Sequence, residues 1–416
     1  MQYLNSKKKK TENKHFKVLM IAPTPFFADR GCHVKIYEEI KAFSKRNIKV
    51  VLVTYHIGRD IAGIDIRRIL RIPWYNKLEA GPSIHKYYLD IILAIKAIFV
   101  ALKFKPDIIH AHLHEGVFVG KFVKFFIKKP IVADYQGSMT GEMLDHGFIN
   151  RKKLAFRLNF WLESVINKFP DKIVMSSTNA ADYLLDNFNL DNSMVTSFVE
   201  GTDTDSFHPN YDVSELRSTL KLPKDKKIII YLGVLTKYQG IDILIESVPH
   251  IVKRYPKVHF LIVGHPNISY YKKMAEDLDV KRHITFTGKV RHEDTPRYLC
   301  LGDIAVSLKL SKTEANGKLF GYMATGLPSI VFDAITNREI LEDTGVYAEY
   351  DNKDSFIEKT LLLLNNEKIA KDLGEASRKR VLNNFTWDKT SVKYLKIYKE
   401  LTGIDPSVSS QPNSKT

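Results

Sequence analysis

Short apolar runs alternate with longer segments whose apolar positions recur every three or four residues. Residues 16–22 (FKVLMIA) read as a buried strand, and 49–54 (KVVLVT) as another. Between them, over 32–46, Val34, Tyr37, Ile40 and Phe43 fall on one helical face. Strand, loop, helix, strand is a βαβ unit and implies a parallel sheet. The alternation continues with an apolar helix through 91–102, expected in the core, and a strand ending at Ile108 and Ile109. A basic amphipathic helix over 117–129, a strand at 130–134 and an amphipathic helix over 150–169 follow. The strand at 172–177 comes next, and its serines and Thr178 can cap a helix over 179–187.

The pattern then breaks. Residues 200–209 are turn-rich and 210–227 heavily charged, as expected of an interdomain linker. A second series starts afresh with strands at 228–233, 259–264, 284–288, 303–308, 329–332 and 345–347, helices between them, and a last amphipathic helix over 392–401. The fold class is α/β, with one Rossmann-like parallel-sheet domain in each half.

The most informative stretch is 309–328 (KLSKTEANGKLFGYMATGLP). It follows one short strand and precedes another. A polar loop with one acid and several lysines leads into a short apolar helix, which Gly326 and Pro328 stop. A helix N-terminus at the end of a parallel strand suits an anion, and ligands of open α/β sheets bind outside the carboxyl ends of strands. A phosphate-bearing ligand is expected here.

Composition narrows the class. Two cysteines, Cys32 and Cys300, make neither a disulfide framework nor a zinc pattern and fit a reducing, cytoplasmic compartment. The start is charged and lacks the apolar run of a secretory signal, and residues 1–15 are expected to form a disordered basic tail. The formal net charge is +16. No nucleic-acid-binding signature accompanies it, so no nucleic-acid partner is expected; anionic ligands or peripheral contact with an anionic membrane surface remain open. His110, His112 and His114 alternate, so all three share one side if their strand continues. A metal cluster is one reading, but no fourth ligand stands nearby in the sequence, and no metal is expected. The favoured reading puts one or two of them, His112 first, in a cleft. The loop before the first helix has one glycine, Gly31, beside Asp29 and Arg30. It is a phosphate loop or a plain helix entry.

The motifs, in order, resemble glycosyltransferase family 4. The resemblance rests on Val199, Gly201, Asp203, Phe207 and Pro209 at the junction; Tyr231-Leu232-Gly233 with 240–245 (GIDILI); Gly264; 284–288 (ITFTG); 318–324 (KLFGYMA) with Gly326-Leu327-Pro328; and Phe385-Thr386-Trp387. It covers roughly 17–402. It implies a GT-B fold, with an N-terminal acceptor domain at 16–205 and a C-terminal nucleotide-sugar domain at 206–388 facing a cleft. A closing helix at 389–402 would cross back to the N-terminal domain, ahead of a disordered tail at 403–416.

The resemblance also implies a retaining hexosyltransferase using a UDP- or GDP-sugar, with a lipid-linked or glycan acceptor and no cofactor. Donor contacts are expected from Gly233, Lys309, Asn316, Gly317, Leu319, Gly288, Lys289 and Val290. Catalytic roles are expected for Glu314, Lys318 and His112. Arg30, Gly31, Gln136 and Gly137 would line the acceptor side. Several positions depart from the family: its phosphate-binding Arg and Lys fall on Val234 and Gln239, its ribose-binding Glu on Gly321, and its first-domain His on Gln136. Either the site is divergent and active, with Lys309, Lys312, Lys318 and Glu314 compensating, or the chain is a non-catalytic nucleotide-sugar-binding protein.

Overall fold

A computed structural model describes residues 15–78, 83–145, 149, 152, 154–311 and 315–407. It contains two wholly parallel sheets. The first holds β1 (Lys17–Ala22), β2 (Lys49–Thr54), β3 (Asp65–Arg68), β4 (Ile108–His112), β5 (Ile131–Tyr135), β6 (Lys172–Met175) and β7 (Val195–Ser197), in the spatial order 3-2-1-4-5-6-7. The second holds β8 (Lys227–Val234), β9 (Val258–His265), β10 (Ile284–Gly288), β11 (Ile304–Ser307), β12 (Ser329–Phe332) and β13 (Gly345–Ala348), in the order 10-9-8-11-12-13. Each sheet is covered by helices on both faces, which is why its central strands are continuous apolar runs rather than alternating ones. Strand order reverses between β1 and β4 in one sheet and between β8 and β11 in the other.

The helix Trp387–Thr402 returns to the first domain and packs on the helix Gly31–Lys45. Thr386 caps it, its hydroxyl accepting from the Lys389 amide. Its Tyr394, Leu395, Ile397 and Tyr398 are buried with Ile40 and Phe43, while Arg46 donates to Ser391 and Asp388 on its rim.

Three expectations change. β4 ends at His112, and Leu113, at φ 62°, turns the chain directly into a helix, Leu113–Ile127. His114 therefore leaves the face shared by His110 and His112. The expected core helix is longer, His85–Phe104, and only half buried. Leu89, Leu93, Ala97 and Ala101 face the sheet, whereas Tyr87, Ile91, Ile95, Phe99 and Leu102 are exposed. On the helix Gly31–Lys45, Lys35 and Glu39 are buried beside Ile36, Ile40 and Phe43, while Val34 and Tyr37 are only partly covered. Strands β3 and β7 escape a hydrophobicity reading because one is Asp-Ile-Arg-Arg and the other three residues long.

Ion pairs hold the domains across the cleft. Arg59 joins Asp29 (2.8 Å) to Glu293 (2.7 Å), Lys289 lies 3.3 Å from Asp29, and the His292 amide donates to Asp29. Burial pushes both carboxyls up, but Arg59 with the other donors outweighs it, and both are held below their ordinary values. Groups so depressed contribute stability above the unfolded carboxylate range, near about 4, and lose it as pH falls through their lower folded values. The thermal-midpoint gap between the wild type and Asp29→Asn is thus expected to be complete at about pH 6 and to shrink steadily toward about pH 3. A gap that stays constant over that range would contradict the assignment.

Candidate active site

Both strand-order reversals open into one cleft of about 660 Å³ between the domains. Its walls come from the loops after β1, β4 and β5 on one side and after β8, β10 and β11 on the other.

The second-domain wall is built around Lys318, the first residue of the helix Lys318–Ala324. Its Nζ donates to Gln239 Oε1 at 2.7 Å and lies 4.6 Å above the centre of the Tyr231 ring. Gly233 lets it do so. At φ 149°, a conformation L side chains rarely adopt, an added Cβ would stand only 3.0 Å from both Lys318 Nζ and Tyr231 Oη, so a larger residue there is strained and presses on the lysine. Gly264 is needed just behind, where a Cβ would run into the Gly233 carbonyl. Lys309 is buried in the same wall and donates to the Ala315 carbonyl at 2.9 Å. Asn316 fixes the loop from within, donating to Ser307 Oγ and Asn337 Oδ1. Gly317, Lys289 and Val290 also line the cleft.

Other expected donor residues stand elsewhere. Leu319 is fully buried and its amide donates to the Asn316 carbonyl, so it points away from the cleft. Gly288 turns the chain at φ 83° but is not part of the wall. Lys312 and Glu314 lie outside the described residues. At position 321, a Cβ would meet Phe207 at 3.2 Å and Leu299 at 3.3 Å, so the space a longer side chain would need is taken by apolar groups.

On the first-domain wall, Arg30, Gly31, Gln136 and Gly137 all face the cleft, Arg30 donating to the Leu78 carbonyl. Of the three alternating histidines, the one that lines it is His114, not His112. His114 stacks on Tyr135 with ring centres 3.9 Å apart, and its Nε2 lies 3.4 Å from Glu163. Glu163 in turn accepts from the Met139 and Thr140 amides, which start the helix Met139–Asp145. Burial pushes its carboxyl up, but His114 and Thr140 hold it lower. His112 lies one layer down, with its strand face turned toward the closing helix; burial lowers it to about 4.

Sequence reasoning missed two cleft residues, Lys35 and Asp90. Lys35 donates to Asp134 at 2.6 Å and lies 3.3 Å from Glu200. Burial opposes its charge, but Asp134 and Glu200 raise its affinity for the proton. Asp90, hydrogen-bonded by Tyr55 at 2.5 Å, is pushed by burial to about 7 and faces the acceptor side. For Lys35 the available signal was a charge inside an otherwise apolar helix face; for Asp90 there was none.

Two family models divide the chain: Glycosyltransferase Family 4 over residues 30–206 and Glycosyl transferases group 1 over 212–380. The chain belongs to glycosyltransferase family 4. Among curated relatives of this family 4 glycosyltransferase, spore coat protein SA of Bacillus subtilis is 26% identical over 245 residues, 55% of this chain and 65% of that protein. Sulfoquinovosyl transferase SQD2 of Arabidopsis thaliana is 22% identical over 386 residues, 90% of this chain and 71% of that one. Among solved structures, the Anabaena HepE complex with UDP and glucose superposes with a TM-score of 0.76 at 14% identity, covering 93% of this chain and 100% of that one. The likeness to solved structures shows the GT-B fold.

Because Gly233 sits against Lys318, Gly233→Ala is expected to displace that ammonium. The change should weaken binding of a nucleoside diphosphate by about tenfold or more while a far smaller change appears in the thermal midpoint. Isothermal titration with UDP and GDP checks it; unchanged affinity would show that Lys318 is not held by this contact.

Proposed function

We propose that this family 4 glycosyltransferase is a retaining hexosyltransferase. It moves a hexose from a UDP- or GDP-sugar to a lipid-linked or glycan acceptor in cell-surface polysaccharide or glycolipid synthesis. The observation that carries this reading is the convergence of Lys318, Lys309 and the Gly233 strand end at the β8/β11 reversal, facing the first domain's polar wall. Lys318 has three N–H donors and can keep Gln239 while meeting a diphosphate. Positive side chains fixed there would stabilise charge developing on the leaving nucleotide, the task a divalent cation performs in other transferases. The base would lie by Lys289 and Val290, and the acceptor by Gln136, Gly137, His114 and Asp90.

The outer surface of the first domain supports a membrane-borne acceptor. Three neighbouring helices, His85–Phe104, Leu113–Ile127 and Leu154–Ile166, present Ile91, Phe99, Phe122, Phe125, Leu158 and Trp161 to solvent. Exposed Lys103, Lys121, Lys128 and Arg157 stand among them. Apolar and aromatic groups interleaved with cations suit the interface of an anionic bilayer. None of the helices among the described residues is long and apolar enough to cross a membrane. Attachment is therefore proposed as peripheral, on the cytoplasmic face.

A second reading, binding without transfer, is favoured by the absence of a cation at Val234 and Gln239 and of a carboxylate at Gly321. Radiolabelled UDP-glucose, UDP-N-acetylglucosamine and GDP-mannose, offered with membrane lipid extract, separate the two. Transfer or slow donor hydrolysis is expected with one of them, and Lys318→Ala should lower kcat/KM by about 100-fold or more. Donor binding with no turnover of any of the three would favour the second reading.

A further inference from the structure

Beneath the cleft floor, four side chains converge from three elements: Glu39 of the helix Gly31–Lys45, His110 and His112 of β4, and Asp134 of β5. All are at most 2% exposed. Alternate spacing on β4 puts the two imidazoles on one face, stacked with centres 4.6 Å apart. β5 supplies Asp134 directly beside His112, since the two residues are paired across the ladder.

Three of the groups are anchored by one atom. Glu39 Oε1 accepts from Tyr394 Oη at 3.0 Å, His110 Nδ1 meets Tyr398 Oη at 2.5 Å, and Asp134 Oδ1 accepts from Lys35 Nζ at 2.6 Å. The inner atoms are different: Glu39 Oε2, His110 Nε2 and His112 Nε2 are buried and have no hydrogen-bond partner among the described residues, while Asp134 Oδ2, equally buried, faces His112 Nδ1 at 3.0 Å. One nitrogen or oxygen from each residue lies within 4.8 Å of the other three. His110 Nε2 is 3.6 Å from Asp134 Oδ2 and 3.8 Å from Glu39 Oε2, and His112 Nε2 is 3.8 Å from Glu39 Oε2. Buried polar atoms are rarely left unpaired, and three orphans grouped around the Asp134 carboxylate ask for a common partner.

We propose that this cluster is a closed divalent-cation site of the zinc type, distinct from the donor site above it. Two imidazoles and two carboxylate oxygens are a borderline-soft donor set that suits Zn²⁺. Tetrahedral donors at about 2.0–2.2 Å from zinc stand roughly 3.3–3.6 Å apart, so those three pairs need to close by no more than a few tenths of an ångström, and the remaining pairs must close from within 4.8 Å. The outer contacts to Tyr394, Tyr398 and Lys35 are the kind that fix ligand orientation, and a proton on His110 Nδ1 directed at Tyr398 would leave Nε2 free to ligate. Charge points the same way. When ionised, Glu39, Asp134 and nearby Glu200 exceed Lys35 by two negative charges, which one divalent cation offsets. No ligand position faces solvent, so the role is structural. The ion would join the helix Gly31–Lys45 to β4 and β5 and, through the two tyrosines, to the closing helix.

The test uses the full chain and Zn²⁺ alone. Metal content is measured by plasma mass spectrometry after gel filtration. Chelator-stripped protein is then titrated with Zn²⁺ while thermal unfolding is followed. One equivalent per chain is expected, with a midpoint that rises and levels off at that equivalent. Co²⁺ in its place should give tetrahedral visible absorption. His112→Gln and Glu39→Gln should lose the equivalent, whereas His259→Gln in the other domain should keep it. The proposal is overturned if stripped wild-type protein neither retains Zn²⁺ nor shifts its midpoint, or if Glu39→Gln binds as wild type does. The wild-type titration and Glu39→Gln decide the matter should His112→Gln fail to fold. None of these readings depends on transfer activity, so they stand or fall apart from the proposed reaction.

Discussion

The contact on which the rest depends is the seating of Tyr394 and Tyr398 on the buried polar group of Glu39 and His110. An apolar patch alone would let the last helix slide or detach. Two hydroxyls paired with buried polar atoms fix its position, because breaking either contact would strand a polar atom away from water. The helix begins in the second domain, where the Thr202–Thr386 bridge leads into it. Its register on the first domain thus sets how the two sheets face one another, and so the width of the cleft.

Within that frame the two walls work differently. The second-domain wall gains precision from glycines: Gly264 admits the Gly233 carbonyl where any Cβ would collide, and Gly233 leaves Lys318 the space it occupies. The first-domain wall is organised by charge. Lys35 with Asp134 and Glu200, His114 with Glu163, and Lys86 with Glu115 at 2.7 Å are partly or wholly sequestered pairs. Each side chain is held by its partner rather than by packing alone, which suits a surface that must present polar groups to a hydroxylated acceptor without collapsing.

Much of the fold was legible because parallel sheets covered on both faces leave uninterrupted apolar runs such as 228–233. The helix Ile241–Arg254, one of those expected between the strands, shows the matching helical spacing, with Leu244, Ile245, Val248 and Ile251 buried. The cleft lining was legible where residues follow a strand end or share a motif: Lys309, Asn316, Gly317 and Lys318 in one loop, and Arg30, Gly31, Gln136 and Gly137 after β1 and β5. Where geometry depends on a single dihedral, pattern reading fails. One left-handed residue, Leu113, sends His114 to the cleft and leaves His112 below it. Lys35, Glu39 and Asp134 are about a hundred residues apart in part, and only folding makes them neighbours. The substitution at Gly321 was visible, but not that Phe207 fills the neighbourhood it vacates.

The exposed apolar helices all belong to one half of the molecule, whereas large apolar side chains exposed on the other half, such as Tyr270 and Leu382, stand apart in sequence. On the proposed attachment, that asymmetry would divide labour mechanically. A first domain resting on a bilayer would be the stationary half, and the second domain, proposed to hold the nucleotide, the swinging one. Opening the cleft would then release the spent nucleotide into water without lifting the acceptor from the surface, so that successive acceptors would be met by sliding rather than by departure and return.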